Sequence, residues 1–346
     1  MLLLALFASA GVLIMYLDAP LTHKELSAEN REYILAAAWD TWGFFETFCA
    51  EKNGFLPPDN FQHRPLGRAV NNTSPTNIGM AITSAIAAQE LGFIDENRLY
   101  EMLSGICRAI EGLEKWHGHL YNWYSIETMR PLHPKYVSAV DSGNLAAALM
   151  CAEVKLSSLG HKETAARFGA LYTDIDFGLL ADGERKLLSI GFDAEAGRLS
   201  KSRYDLFASE ARLTYFVAAA LNKIDARYYY SLSRLLTSVR TRRVHLSWSG
   251  TMFEYLMPVI FTGSVYMSAG GESAENAVYV QQLCARRGIP WGVSESGYYA
   301  FDANMLYQYR AFGERRLALC PYREEESVAA PYASMLALMT DPNEAA

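Results

Sequence analysis

Asp141-Ser-Gly-Asn-Leu-Ala-Ala-Ala-Leu-Met-Cys-Ala-Glu-Val-Lys-Leu-Ser-Ser-Leu159 reads as one helix, with Gly160 where a left-handed C′ glycine belongs. The stretch is alanine-rich and apolar, so it belongs to an interior. Similar helical patterns recur at 75–91, 95–116, 161–181, 205–222, 225–240, 250–262, 272–287, 302–312 and 328–340. A further one starts at Ser27, a plausible N-cap, and carries Tyr33, Trp39, Trp42, Phe45 and Phe48 on a face suited to core packing. Asp95 and Asp225 stand at N-cap positions, and Gly92 and Gly288 at C′ positions. Only two places look like strand pairs: 119–124 returning through 129–132, and 188–192 with 198–200. There is no fixed sequence period, which argues against a solenoid. Helices of middling length in pairs, with long loops between them, predict an all-α (α/α)6 barrel with short β-hairpins in its loops.

Met1 to Leu17 carries no charge and no preceding Lys or Arg, so it reads as a membrane helix rather than a signal peptide. The expected division is a membrane segment at 1–20 and one catalytic domain at 21–346. Of the 346 residues, 51% are hydrophobic, enough for a large core. A net charge of −7 and the lack of a basic stripe to neutralise a phosphate backbone argue against nucleic acid, and Arg240, Arg242 and Arg243 read as a solvated helix end. Five scattered cysteines without C-x-x-C spacing suit reduced thiols rather than a disulfide framework or a zinc site.

Phosphate loops, dinucleotide fingerprints, H-E-x-x-H and G-x-S-x-G are absent, and His117-Gly-His119 reads as a turn. What remains is a set of acids in polar and aromatic settings: Asp141, Glu210, Glu254 and Glu295. Glu295 lies in Ile289-Pro-Trp-Gly-Val-Ser-Glu-Ser-Gly-Tyr-Tyr-Ala-Phe-Asp302, a composition suited to a saccharide site. It equally suits a loop whose Glu caps a helix. Asp141 could likewise be a plain N-cap. Arg212, two residues beyond Glu210, would face elsewhere on a helix and does not explain it. Buried acids are costly unless used or satisfied, and two in one cleft are what glycosidic-bond chemistry needs. Trp123, Trp291 and Tyr298 are candidate stacking platforms beside these acids.

Taken in order, Leu56-Pro-Pro-Asp-Asn-Phe61, Thr73-Ser-Pro-Thr-Asn-Ile-Gly79, Gly118-His-Leu-Tyr-Asn-Trp-Tyr124, Val140-Asp-Ser-Gly-Asn144, Ala208-Ser-Glu-Ala-Arg212, Ser247-Trp-Ser-Gly-Thr-Met-Phe-Glu254, Pro290-Trp-Gly-Val-Ser-Glu-Ser296, Tyr307-Gln-Tyr-Arg-Ala-Phe-Gly313 and Ala330-Pro-Tyr332 form a combination. It closely resembles the glycoamylase-like cyclisation domain of cyclic β-1,2-glucan synthases, related to bacterial β-1,2-glucanases with an (α/α)6 barrel. The resemblance implies retaining transglycosylation of linear β-1,2-glucan, without metal or cofactor, through glutamates matching Glu210 and Glu295. Asp141 and Glu254 would support them. Asn122, Trp123, Asn144, Trp248, Trp291, Tyr298, Tyr307 and Arg310 would bind substrate. It also implies a bacterial inner membrane, a cytoplasmic catalytic domain and other domains of a larger synthase as neighbours. An endo-β-1,2-glucanase and a non-catalytic glucan-binding module are the alternatives. Tyr228-Tyr-Tyr-Ser-Leu-Ser-Arg234 and Thr241-Arg-Arg243 depart from the pattern and put loop contacts in doubt, not the carboxylates.

Overall fold

A computed structural model describes residues 26–263, 268–285, 290–321 and 328–346. The expected membrane helix at Met1–Leu17 and the C′ role of Gly288 lie outside the described residues. Among those described, no helix is long and apolar enough to cross a membrane.

The main helices are α1 (Ala28–Phe48), α2 (Pro75–Glu90), α3 (Glu96–Gly112), α4 (Ala139–Ser158), α5 (Lys162–Thr173), α6 (Ala211–Ala220), α7 (Arg227–Tyr230), α8 (Met252–Thr262), α9 (Ala269–Cys284) and α10 (Pro331–Leu336). Caps match the sequence at Ser27 and Asp95, whose side chains accept from Asn30 N and Arg98 N. Gly92 and Gly160 both adopt positive φ after α2 and α4.

Helix α4 is the central element. It packs on α2, α5 and α6, while α6 packs on α8 and α8 on both α9 and α10. Its small residues make this possible: a Cβ at Gly143 would stand 2.1 Å from Thr214 Oγ1 of α6. Leu145, Leu149 and Leu156 are buried, each burial stabilising the fold by about 1.5–3 kcal/mol. Helix α3 lies against α2 and α5, forming an outer layer. Buried apolar residues form two clusters, one around α2 to α6 and one around α8 to α10, which meet where α6 packs on α8.

Several expectations are corrected. The helix predicted at 302–312 is half of an antiparallel hairpin, Glu295–Phe301 with Tyr307–Ala311. Aromatic residues in that stretch pack better on a pleated surface than on a helix. The helix predicted at 225–240 stops after one turn and gives way to a hairpin of Leu236–Val239 with Arg242–His245. The arginines read as a helix end therefore sit on that hairpin. The helix predicted at 205–222 starts only at Ala211, after a strand at Arg203–Tyr204. In α1 only Trp42 is buried, and Tyr33 and Trp39 are exposed.

Small antiparallel sheets tie the loops together. Tyr124 bridges Pro131, and Phe192 pairs with Leu199, as the sequence suggests. Leu188 instead pairs with Tyr204 and Ala181. Thr73 pairs with Tyr124 and Val137 with Phe192, long-range pairings with no local signal.

Candidate active site

Three of the four acids sit at the N-terminal ends of helices that pack side by side. Asp141 is in the first turn of α4, Glu210 is the residue before α6, and Glu254 is in the first turn of α8. Glu295 opens the strand of the 295–311 hairpin. The segment before it is strapped to α9 by Gln281, which accepts from Val293 N at 2.9 Å and donates to Val293 O at 2.9 Å. Ser294 Oγ is fixed by Phe253 N and by the Tyr332 hydroxyl at 2.8 Å.

These four acids share one electrostatic neighbourhood. Burial first, then the charge of Glu254 and that of Asp141, raises Glu210 to about 7. Burial, then Glu210 and Glu254, raises Glu295 to about 8, against a hydrogen bond from Thr251. The helix N-terminus at Glu210 would favour its ionised form, so burial and the neighbouring charges outweigh the dipole there. The charge of Glu210 thus adds to the burial that raises Glu295. Among the described residues no Lys or Arg forms an ion pair with either. Ser209 Oγ, 3.3 Å from Glu210 Oε2, is a weak partner.

Glu254 behaves differently. It is 5% exposed and forms a capping box with Thr251. Its carboxylate accepts from Ser247 Oγ at 2.9 Å, Trp248 N at 3.0 Å, Ser249 N at 3.1 Å and Thr251 N at 2.9 Å. It stands in the first turn of an apolar helix. It is saturated by donors, has no lone pair left for a sugar hydroxyl, and acts on its neighbours through its charge.

Asp141 is not the N-cap; Ser138 is. Thr76 Oγ1 donates to Asp141 Oδ1 at 2.6 Å. With its amide nitrogen turned toward Asp141, Asn122 donates to Oδ2 at 3.0 Å and accepts from Trp123 Nε1 at 3.1 Å. Burial raises the Asp141 pKa, and the Ser138 and Thr76 hydroxyls oppose that rise. Asn144, expected to bind substrate, is 1% exposed and donates to Thr76 Oγ1 at 3.1 Å. It therefore holds the group that holds Asp141.

The aromatic candidates also divide. Trp248 is 60% exposed, and its own backbone N–H is pinned by Glu254, so a free face stands beside the acid cluster. Trp291 is half-buried and packs against the second core. Tyr298 is 8% exposed, with the Arg310 guanidinium 4.5 Å from its ring centre, so neither offers an open stacking face as first expected. The Tyr307 ring lies over Gly297, where a Cβ would come within 2.9 Å, and its hydroxyl is 3.4 Å from Asn60 Nδ2. Trp248→Ala is expected to weaken glucan binding with little change in Tm, whereas Trp291→Ala should lower Tm. Calorimetry with and without glucan separates the two, and equal Tm loss in both would return Trp248 to packing.

Sequence reasoning missed Tyr204. Its hydroxyl pKa is raised well above the usual value by burial, then by the charges of Glu210 and Asp141 and, more weakly, Glu295, so it faces the same cluster. Thr76, Gln281 and Ser294 were also passed over. None is unusual in its local sequence.

No family model matches the chain. The chain is 30% identical over 451 residues to the cyclic β-(1,2)-glucan synthase NdvB of Rhizobium meliloti (strain 1021), an alignment covering 92% of the chain and 16% of that much longer protein. An endo-β-1,2-glucanase of Chitinophaga pinensis, solved with sophorotriose and glucose, superposes with a TM-score of 0.72 at 17% identity over 93% of this chain and 81% of its own. A putative glucoamylase of Bacteroides fragilis NCTC 9343 gives 0.72 at 16% identity over 94% and 81%. The endo-β-1,2-glucanase of Talaromyces funiculosus, solved with sophorose, gives 0.65 at 13% identity over 88% and 73%. The chain is thus a relative of one segment of the cyclic β-1,2-glucan synthases, built on the helix-rich fold of solved glucoamylase-like proteins and β-1,2-glucanases.

Proposed function

We propose that this chain is a carbohydrate-active enzyme of β-1,2-glucan, a glycoside-hydrolase-type transglycosylase working through Glu210 and Glu295. The observation that carries this is a pair of buried carboxyl groups, both raised toward neutrality, with the charge of Glu210 acting on Glu295 and no ion pair to either among the described residues. At neutral pH such a pair holds one proton between two sites. One member protonates the departing glycosidic oxygen. The other, ionised, attacks the anomeric carbon and forms a glycosyl ester with retention to follow. The first then takes a proton from the incoming hydroxyl. A hydroxyl of the same glucan closes a ring, and water instead gives hydrolysis. The glucanase names of the solved relatives keep hydrolysis as the second reading.

Helices α2, α4, α6, α8 and α10, neighbours in that order, are taken as the inner ring of an (α/α)6 barrel with the cleft at their N-terminal ends. Met1–Leu17 would tether this domain to a bacterial inner membrane, with the catalytic domain on the cytoplasmic side and other synthase domains as partners. Deleting residues 1–20 should then leave a folded, active enzyme, and loss of folding would contradict the tether.

Incubating the chain with linear β-1,2-glucan and weighing the products by mass spectrometry tests the reaction. Cyclic glucans, lighter by one water than linear chains of equal length, are expected. Shorter reducing oligosaccharides would mean hydrolysis, and unchanged glucan would overturn the enzyme reading.

A further inference from the structure

A cavity of about 490 Å³, whose lining does not include Glu210 or Glu295, opens between α6, α8 and the start of α9, beside the one-turn helix α7. Arg212 lines it and is 6% exposed. Its hydrogen bond to Tyr255 O is long at 3.5 Å, and among the described residues no carboxylate pairs with it. Arg234 lines the same cavity, also without a carboxylate, and is held by the carbonyls of Tyr230 and Leu232. Both guanidinium carbons lie against the Phe207 ring, at 4.9 and 4.6 Å from its centre. The His245 ring is 5.0 Å from Phe207, and its pKa is lowered by burial and then by the two arginines. Glu272, the acid that opposes this, is exposed.

The first turn of the 16-residue α9 brings Ala269, Gly270 and Gly271 to the same cavity. A helix N-terminus carries partial positive charge and N–H donors. The backbone there is close to the cation: a Cβ at Gly270 would stand 3.1 Å from Arg212 Nη1. A buried guanidinium facing a helix N-terminus, with a second guanidinium alongside, sets like charges together, and the acid of that first turn, Glu272, is exposed and forms no ion pair with either arginine. Left alone this arrangement is unfavourable, because the desolvated cation has no counter-charge. A bound anion with several acceptor oxygens resolves it.

We propose that this cavity is a binding site for a phosphate-class anion, free or esterified to a small molecule, held between Arg212 and the N-terminus of α9. The cavity is larger than a phosphate ion needs, and Tyr229 and Tyr230 line its wall, so an ester has room for its organic part. The site is independent of the glucan chemistry proposed above.

The test titrates the full chain with inorganic phosphate, and separately with glucose 6-phosphate, at constant ionic strength against chloride, following Tm and binding heat. Saturable stabilisation beyond chloride is expected, with at least a tenfold loss of affinity in Arg212→Met. Tighter binding of glucose 6-phosphate assigns an ester, and equal affinities assign the free ion. Gly270→Asp places a carboxylate beside the guanidinium. It should raise Tm in phosphate-free buffer and abolish the phosphate response, and it decides the matter even if Arg212→Met does not fold. No saturable effect in the unaltered chain, an undiminished response in Arg212→Met, or a Gly270→Asp variant that neither stabilises nor blocks would each overturn the proposal.

Discussion

Glu210→Gln and Glu295→Gln are each expected to lower turnover of linear β-1,2-glucan by about 10³-fold or more, the scale of a lost acid/base or nucleophilic role. The fold should survive, because Gln is almost isosteric and neither acid carries a saturated set of donors. The effect on stability has a definite sign. Both carboxyls have folded pKa values, about 7 and about 8, above the ordinary 4.5. The fold therefore favours their neutral forms, and this contribution is complete below about pH 4.5 and is lost as pH rises through 7 and 8. Gln cannot ionise. The variants should match the unaltered chain in Tm at pH 4.5 and exceed it at pH 9. Thermal melts at the two pH values, beside rate measurements, check both halves. Full activity in either variant would move the role to another acid.

Glu254→Gln is expected to do the opposite, lowering stability by about 3 kcal/mol, the scale of breaking a buried charged hydrogen-bond network. Five donors point at this carboxylate, from Ser247, Trp248, Ser249 and both the N–H and the hydroxyl of Thr251. A Gln amide nitrogen would meet N–H groups with another donor, and the capping box at the start of α8 would fail. Denaturant titration measures the loss. Removing the charge should also lower the pKa values of Glu210 and Glu295, since Glu254 raises both. Any residual pH–rate profile would then shift toward acid. A variant as stable as the unaltered chain would show that the network around Glu254 is not what anchors α8.

These contrasting outcomes also mark how far the sequence could be read. Helices α2 to α5 were legible because long apolar, alanine-rich runs end in recognisable signals, such as Asp95 before α3 and Gly160 after α4. The stretches 225–240 and 302–312 were not legible. Short aromatic-rich runs fit helix or strand, and cross-strand pairing such as Ser296 with Arg310 decides between them. Two-residue strands such as Asn72–Thr73 exist only because a distant partner reaches them.

In the site, Glu210 and Glu295 stood out as acids with no evident local partner. Glu254 stood out for the wrong reason: Thr251-Met-Phe-Glu254 is a capping box legible from its spacing alone. Asn144 and Asp141 share one helix face, but that Asn144 reaches Thr76 depends on α2 packing against α4. Tyr204 carried no signal, because its place beside the acids follows from a strand pairing with Leu188.

The central claim is that Glu210 and Glu295 face each other in one cleft and titrate as a pair. The most direct measurement is an NMR titration of the chain labelled with ¹³C at its glutamate carboxyls, repeated in Glu210→Gln. The ionised Glu210 is the largest charge holding Glu295 up near 8. Its removal should bring the Glu295 midpoint down clearly while leaving it above the ordinary 4.5, because burial remains. A Glu295 midpoint unmoved by Glu210→Gln would contradict the claim, since two carboxyls that do not feel one another cannot serve one glycosidic bond.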